Sequence, residues 1–336
     1  MERFQWAAAR TLEEAQEQVN ATTSDVVTKR AKGESSILKA GGVDLLDLMK
    51  EGLATPDKVI SITSIPGMDK ITYDAKNGLR MGALVTLSQM EEDVTIKEKY
   101  TALNESVSHA ATPQIRNMAT LGGNLAQRPR CWYFRSEHHD CLKKGGNTCF
   151  AQEGQNEIHA IYDTSICPCV HSSSLSTALM AFGSSVEILD KNGKTKMVKL
   201  SDFFTTPDVD VTRENILEPK EIITAVVIPA QPEGTKSFYI KQASRESYDW
   251  ALADTAVVLQ LSGDTCKKAS IVLGAAAPVP IHATKAEKSL TGKTISETTA
   301  AEAGKLATAE ATPLSHNAYK IPMFQSIVKK CILQTV

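Results

Sequence analysis

One stretch constrains this chain more than any other. Residues 120–171 hold five of its seven cysteines, Cys131, Cys141, Cys149, Cys167 and Cys169, spaced C-x9-C-x7-C-x17-C-x-C. A 4Fe–4S cluster needs four thiolates converging on one small object. A loop can supply them if it carries turn residues, and Gly145, Gly146 and Asn147 are such residues. Trp132-Tyr133-Phe134 offers an apolar shield for one side. Three other readings compete. Structural zinc sites use C-x2-4-C knuckles, and none occurs here. Disulfides suit neither the odd cysteine total nor the absence of a visible secretory segment. Scattered structural cysteines suit the clustering poorly. Spacing alone leaves cluster, zinc and no cofactor open.

At 336 residues the chain is long enough for two or three domains, and 42% apolar with 23% charged residues is the balance of a globular protein. A net charge of −2 gives no footing for nucleic acid or an anionic membrane. The N-terminus MERFQWAAARTLEEAQEQ has early charges and no apolar core, unlike a signal peptide. No apolar run reaches bilayer-spanning length, so no membrane insertion is expected. The expected location is cytoplasmic, with thiols reduced and available to iron, or periplasmic if a partner's signal exports the assembly.

The stretch 37–49 carries the first chemical motif. Ile37 to Ala40 reads as a strand, Gly41-Gly42 breaks it, and a helix starts at Asp44. Glycines let backbone N–H groups approach an anion, and a helix N-terminus adds partial positive charge, so a pyrophosphate fits. An ordinary tight turn is the competing reading. No G-x-G-x-x-G is present, which excludes a Rossmann fingerprint. A second turn, Gly122-Gly123-Asn124, follows Arg116–Thr120, where Arg116 reads as a satisfied surface charge rather than a phosphate contact.

The rest of the chain alternates strands and helices. A capping box Thr11/Glu14 opens a helix over 12–20. Strands are expected at 58–62, 78–84, 184–189, 197–200 and 221–228, and helices at 100–111 and 175–182. Residues 229–235 (PAQPEGT) form a linker, followed by strands near 236–243, 251–261 and 269–274 and helices near 283–289, 296–309 and 319–333, an α+β order. His138, His139, His159 and His171 read as loop or core histidines, and Cys266 and Cys331 as isolated thiols.

KAGGVDLLDLMK (39–50), ATLGGNLAQ (119–127) and KQASRESYDWALAD (241–254) resemble segments of the FAD subunit of molybdenum hydroxylases, the xanthine dehydrogenase and aldehyde oxidoreductase family. The cysteine insertion is similar to that of bacterial aldehyde oxidoreductase FAD subunits and of 4-hydroxybenzoyl-CoA reductase, where the loop carries a 4Fe–4S cluster. The resemblance runs from Phe4 to about Leu333. It implies an α+β protein: a two-part FAD-binding domain over 1–230, with the loop inserted at 128–171, and a smaller α/β C-terminal domain over 235–336. It implies FAD held by Ile37, Leu38, Lys39, Ala40, Gly41, Gly42, Val43, Asp44 and Leu45 with Thr120, Gly122, Gly123 and Asn124, and Ile223 and Lys241 beside the flavin ring. Two departures stand out. Val43 replaces a common threonine, and Ser174 stands where the family often has an acid.

The resemblance also bears on the cluster ligands. Cys131, Cys141 and Cys149 have no nearby substitutes. Thiols two apart on an extended backbone point to opposite sides, so one of Cys167 and Cys169 is expected to be spare. Aligning the family's histidine with His171 makes Cys167 the fourth ligand, with Pro168 stiffening the pair. The implied partners are a large molybdopterin subunit, a small subunit with 2Fe–2S clusters, and an external electron acceptor. The implied reaction is oxidation of an aldehyde to a carboxylate. Alternatives are the medium subunit of a hydroxybenzoyl-CoA reductase or of a purine or N-heterocycle dehydrogenase, and, in another class, a zinc-binding scaffold without flavin.

Overall fold

The computed structural model describes residues 1–246 and 248–336; Ser247, inside the third family-like segment, lies outside the described residues. Three sheets organise the chain. The first is parallel, with β1 (Gln5–Ala8), β2 (Ser36–Lys39) and β3 (Lys58–Ser61) in the order β1-β3-β2. Parallel neighbours need crossovers. The helix Val43–Lys50 supplies the one between β2 and β3, and its Leu45, Leu48 and Met49 pack with Ile37 and Val59. Before β2 come the helix Leu12–Gln18 and a short helix, Thr23–Val27, that hydropathy did not reveal. Thr11 Oγ1 does accept from Glu14 N (3.1 Å), but the Glu14 carboxylate takes the N–H of Arg10 (2.7 Å), so the expected box closes one residue early.

The second sheet is antiparallel, ordered β4-β5-β8-β6-β7, from β4 (Ile71–Asp74), β5 (Gly78–Gly82), β6 (Ser185–Leu189), β7 (Thr195–Lys199) and β8 (Ile222–Ile228). β8 reads IITAVVI because it is central and covered. Between β5 and β6 the chain makes a long excursion that carries the second glycine turn and the cysteine loop. The helix expected at 100–111 is Thr101–Ser108; a further helix, Val94–Lys99, precedes it, and the two divide at Tyr100, whose buried ring meets Phe182 edge-on at 5.3 Å.

The third sheet is antiparallel, β12-β11-β10-β9, from β9 (Thr235–Gln242), β10 (Ala253–Ser262), β11 (Thr265–Gly274) and β12 (Ile281–His282). Helices Thr284–Leu290, Glu297–Ala307 and Lys320–Gln334 join its core. Helices Thr101–Ser108 and Ser174–Ala181 also pack on this sheet. Buried between these layers, residues 253–259 of β10 lack polar alternation. No helix among the described residues is long and apolar enough to cross a membrane.

Candidate functional site

The two glycine turns, far apart in sequence, meet. Gly41 lies flush against the backbone of Met118, where a Cβ would overlap its carbonyl. Gly42 takes a left-handed conformation (φ 79°) just before the helix Val43–Lys50. The N–H groups of Gly41, Gly42 and Val43 donate to no protein acceptor among the described residues. The second turn hangs on β5's extension: Leu121 N donates to Val85 O (2.9 Å) and Gly122 N to Ala83 O (2.9 Å). Thr120 Oγ1 accepts from Gly123 N (3.3 Å), and Ser173 Oγ donates to Asn124 Oδ1 (2.5 Å).

These segments and the third family-like segment wall a cleft of about 300 Å³. Leu38, Lys39, Ala40, Gly41, Gly42, Val43, Asp44, Leu45, Thr120, Gly123, Asn124 and Lys241 line it. Ile37 and Gly122 lie behind the wall, Ile37 in the core and Gly122 against Ala83. Ile223, expected beside the flavin ring, is not in the wall. It pairs with Ile188 across β6 and β8, and its side chain enters the core. Arg116 is satisfied, as expected, but buried rather than on the surface. It pairs with Glu91 (2.8 Å) and donates to the carbonyls of Ala110 and Ala111.

Several wall residues escaped the sequence reading, among them Ile115, Gln127, Arg130, Ser172 and Trp250. Arg130 lies over the Trp250 ring at 4.5 Å; the signal was a tryptophan in a polar loop. Lys39 Nζ donates to Ala40 O (2.9 Å) and sits over Trp6, and burial lowers its pKa. Lys241 donates to His109 O and to Asp249 O (3.0 Å). Burial lowers the pKa of Lys241, opposed by Asp254 and Asp249. Asp254 is its cross-strand partner on β10. Burial pushes the Asp254 carboxyl up to about 7, against the pull of Thr177, Lys241, Lys320 and Tyr239. Unpaired N–H groups, a helix N-terminus and Lys39 suit a diphosphate, and the apolar wall with Trp250 suits a flat ring.

The cysteine loop is tied to the same helix. Asp44 faces the cleft but gives its carboxylate to the loop: Oδ2 accepts from Arg128 N (2.8 Å), and Oδ1 pairs with Arg130 (2.8 Å) and Arg135 (2.5 Å). Gly145 is left-handed (φ 92°), and a Cβ on Gly146 would run into Asp140. Cys141, Cys167 and Cys169 are buried, Cys131 and Cys149 half-buried, and all are free thiols. The neighbouring thiols of Cys149 and Cys169 hold the Cys167 pKa well below the usual thiol value. Pro168, between Cys167 and Cys169, sits in irregular backbone. Burial raises Cys131 to about 12 and raises Cys141, each also repelled by Cys167.

Two histidines close the loop. His159 Nε2 lies 3.2 Å from Cys131 Sγ, and its buried Nδ1 has no partner among the described residues. Burial lowers His159 to about 4, and burial with Lys143 lowers His171 to about 3, so both are neutral. Among the described residues, no three His, Cys, Asp or Glu side chains close on a point as a single ion requires. A cavity of about 160 Å³ separates Cys131 and His159 from Asp249 and Trp250 of the cleft.

Fold and cleft together define a protein with a cleft of the kind that takes a nucleotide cofactor. Residues 2–231 match the family model for the FAD binding domain in molybdopterin dehydrogenase, and residues 238–335 match that for the CO dehydrogenase flavoprotein C-terminal domain. The aldehyde oxidoreductase FAD-binding subunit PaoB of Escherichia coli (strain K12) is 34% identical over 84% of this chain and 86% of its own length. The nicotinate dehydrogenase FAD-subunit of Eubacterium barkeri is 26% identical over 87% of this chain and 81% of its own. The solved carbon monoxide dehydrogenase of Hydrogenophaga pseudoflava shares the fold, with a TM-score of 0.74 at 23% identity over 99% of this chain and 97% of that one. The chain belongs to the FAD-binding family of molybdopterin dehydrogenases, whose members are oxidoreductase subunits.

Proposed function

We propose that this chain is the FAD-carrying, electron-transferring subunit of a three-part molybdenum hydroxylase that oxidises aldehydes to carboxylates, and that its loop holds one 4Fe–4S cluster on Cys131, Cys141, Cys149 and Cys167. The gathering of thiols around Cys167, one cavity away from the cleft, carries this reading. The aldehyde reading draws on the likeness to PaoB. The partners are a large molybdopterin subunit, where water and aldehyde react, and a small 2Fe–2S subunit. Residues 1–230, with the insertion at 128–171, form the flavin domain, and 235–336 the C-terminal domain.

When bound, FAD supplies electron-pair chemistry and the cluster one-electron chemistry. The chain's own residues position them. The turns at 37–45 and 120–124 hold the diphosphate, Lys241 lies by the ring, and Arg130 on Trp250 fills the space toward the thiols. Cys167 is the fourth ligand on the resemblance aligned at His171, and its influence on the pKa of Cys131, Cys141, Cys149 and Cys169 supports that choice.

Serine replacement at each cysteine tests this, with iron counted and reduced samples examined by electron paramagnetic resonance. Cys131→Ser, Cys141→Ser, Cys149→Ser and Cys167→Ser should each lose or alter the cluster signal, and Cys169→Ser should keep it. Loss at Cys169 and retention at Cys167 would move the fourth ligand. Zinc in place of iron would reject the cluster.

A further inference from the structure

Beside the thiols, two cations are buried with one carboxylate. Arg128 Nε lies 2.7 Å from Glu214 Oε2, and Lys143 Nζ lies 2.9 Å from Glu214 Oε1. The three side chains are 2%, 4% and 8% exposed for Arg128, Lys143 and Glu214. The cations' other partners are carbonyls, which bring no charge: Arg128 Nη2 donates to Thr212 O (3.1 Å) and Lys143 Nζ to Arg213 O (3.2 Å). Neither cation pairs with a second carboxylate among the described residues. The group therefore carries one excess positive charge in the interior, where an uncompensated ion is strongly destabilising.

The compensation lies in the loop. Cys169, Lys143 and Glu214 border one small cavity. Lys143 is fixed there by the turn Leu142–Lys144 that follows Cys141.

We propose that this buried excess charge is the counter-charge of an anionic thiolate-held cluster, and that Lys143 raises the cluster's reduction potential. The inference rests on the cluster reading above. Taking up one electron makes the cluster and its four thiolates more negative by one charge, with no proton needed. A fixed cation in a poorly screened interior stabilises that form more than the oxidised one. Glu214 acts in the opposite sense, and its two cations outweigh it.

The full chain, purified without oxygen, is titrated with dithionite while the cluster signal is followed by electron paramagnetic resonance. Lys143→Met should lower the midpoint by at least a tenfold change in the equilibrium constant, about 59 mV for one electron. Glu214→Gln should raise it, and Lys143→Arg should stay near the parent value. A merely structural role would not shift two variants in opposite directions. Unmoved midpoints, or shifts of one sign, overturn the proposal. If Lys143→Met fails to assemble, Glu214→Gln decides, and an unchanged or lowered midpoint overturns it. A parent chain without iron overturns the cluster reading and this inference with it; a parent chain with the cluster but unresponsive potentials overturns this inference alone.

Discussion

Gly41 makes the cleft possible, because only a residue without a side chain can lie against the Met118 carbonyl. Gly41→Ala should force the two turns apart at about 1–3 kcal/mol, the usual effect of overpacking. Flavin occupancy, read from the absorbance of the purified variant, should fall with the melting temperature. Full occupancy in a folded Gly41→Ala protein would mean that the turns do not hold the cofactor together. Behind the same cleft, Asp254 ionises at about 7 when folded, above the ordinary carboxylate value it has when unfolded. The stability linked to it is thus fully present below the unfolded pKa and is lost as pH rises through the folded one. Tyr239, Thr177, Lys241 and Lys320 face this carboxyl, and Lys320, held at about 7 by burial, loses charge over the same range. Asp254→Asn removes the penalty. Its melting temperature relative to the parent should rise between about pH 5 and about pH 8, and a flat difference would show that the carboxyl does not titrate there.

The helix Val43–Lys50 does two jobs from one end. Its N-terminal N–H groups face the cleft, and Asp44 in its first turn anchors the cysteine loop. Asp44→Ala should remove about 1–3 kcal/mol of charge-assisted bonding. Amide exchange should quicken across 128–135 before it quickens in the third sheet; protection unchanged there would assign the loop's order to other contacts. This helix also shows where sequence reading succeeds and stops. Strand, glycine pair and helix start are local signals, so 37–50 was legible. The role of Asp44 was not, because its partners lie 84 and 91 residues away. The order β4-β5-β8-β6-β7 was hidden for the same reason, since β8 inserts between strands that precede it in the chain. Ile223 lies behind the cleft wall, and a resemblance names a position without telling which face of a covered strand it takes.

On the scale of the whole molecule, the C-terminal domain clamps the cysteine loop. Ile161 N and Tyr162 N donate to Ala276 O (2.8 and 3.1 Å), and His171 N donates to Ala277 O (3.0 Å), so the loop's second half is laced to the chain just after β11. Asn317 Nδ2 donates to His159 O (3.1 Å) and Ala160 O (2.9 Å), and Lys320 Nζ donates to His159 O (2.9 Å) and Ala275 O (2.6 Å). These bonds fix the backbone of the histidine that meets Cys131. The clamp makes the thiols' arrangement a property of both domains, which is why a sequence reading that treated 128–171 as an insertion into the first domain could not see it. Asn317→Ala leaves the Ala160 carbonyl without its donor and the His159 carbonyl with Lys320 alone, at about 1–3 kcal/mol. The strain falls on the loop and not on the flavin turns, which touch other elements. In the iron-free chain, Cys141, Cys167 and Cys169 should therefore react faster with a thiol reagent in Asn317→Ala than in the parent, while flavin occupancy stays unchanged. Equal thiol reactivity in the two proteins would show that the loop keeps its shape without the C-terminal domain's help.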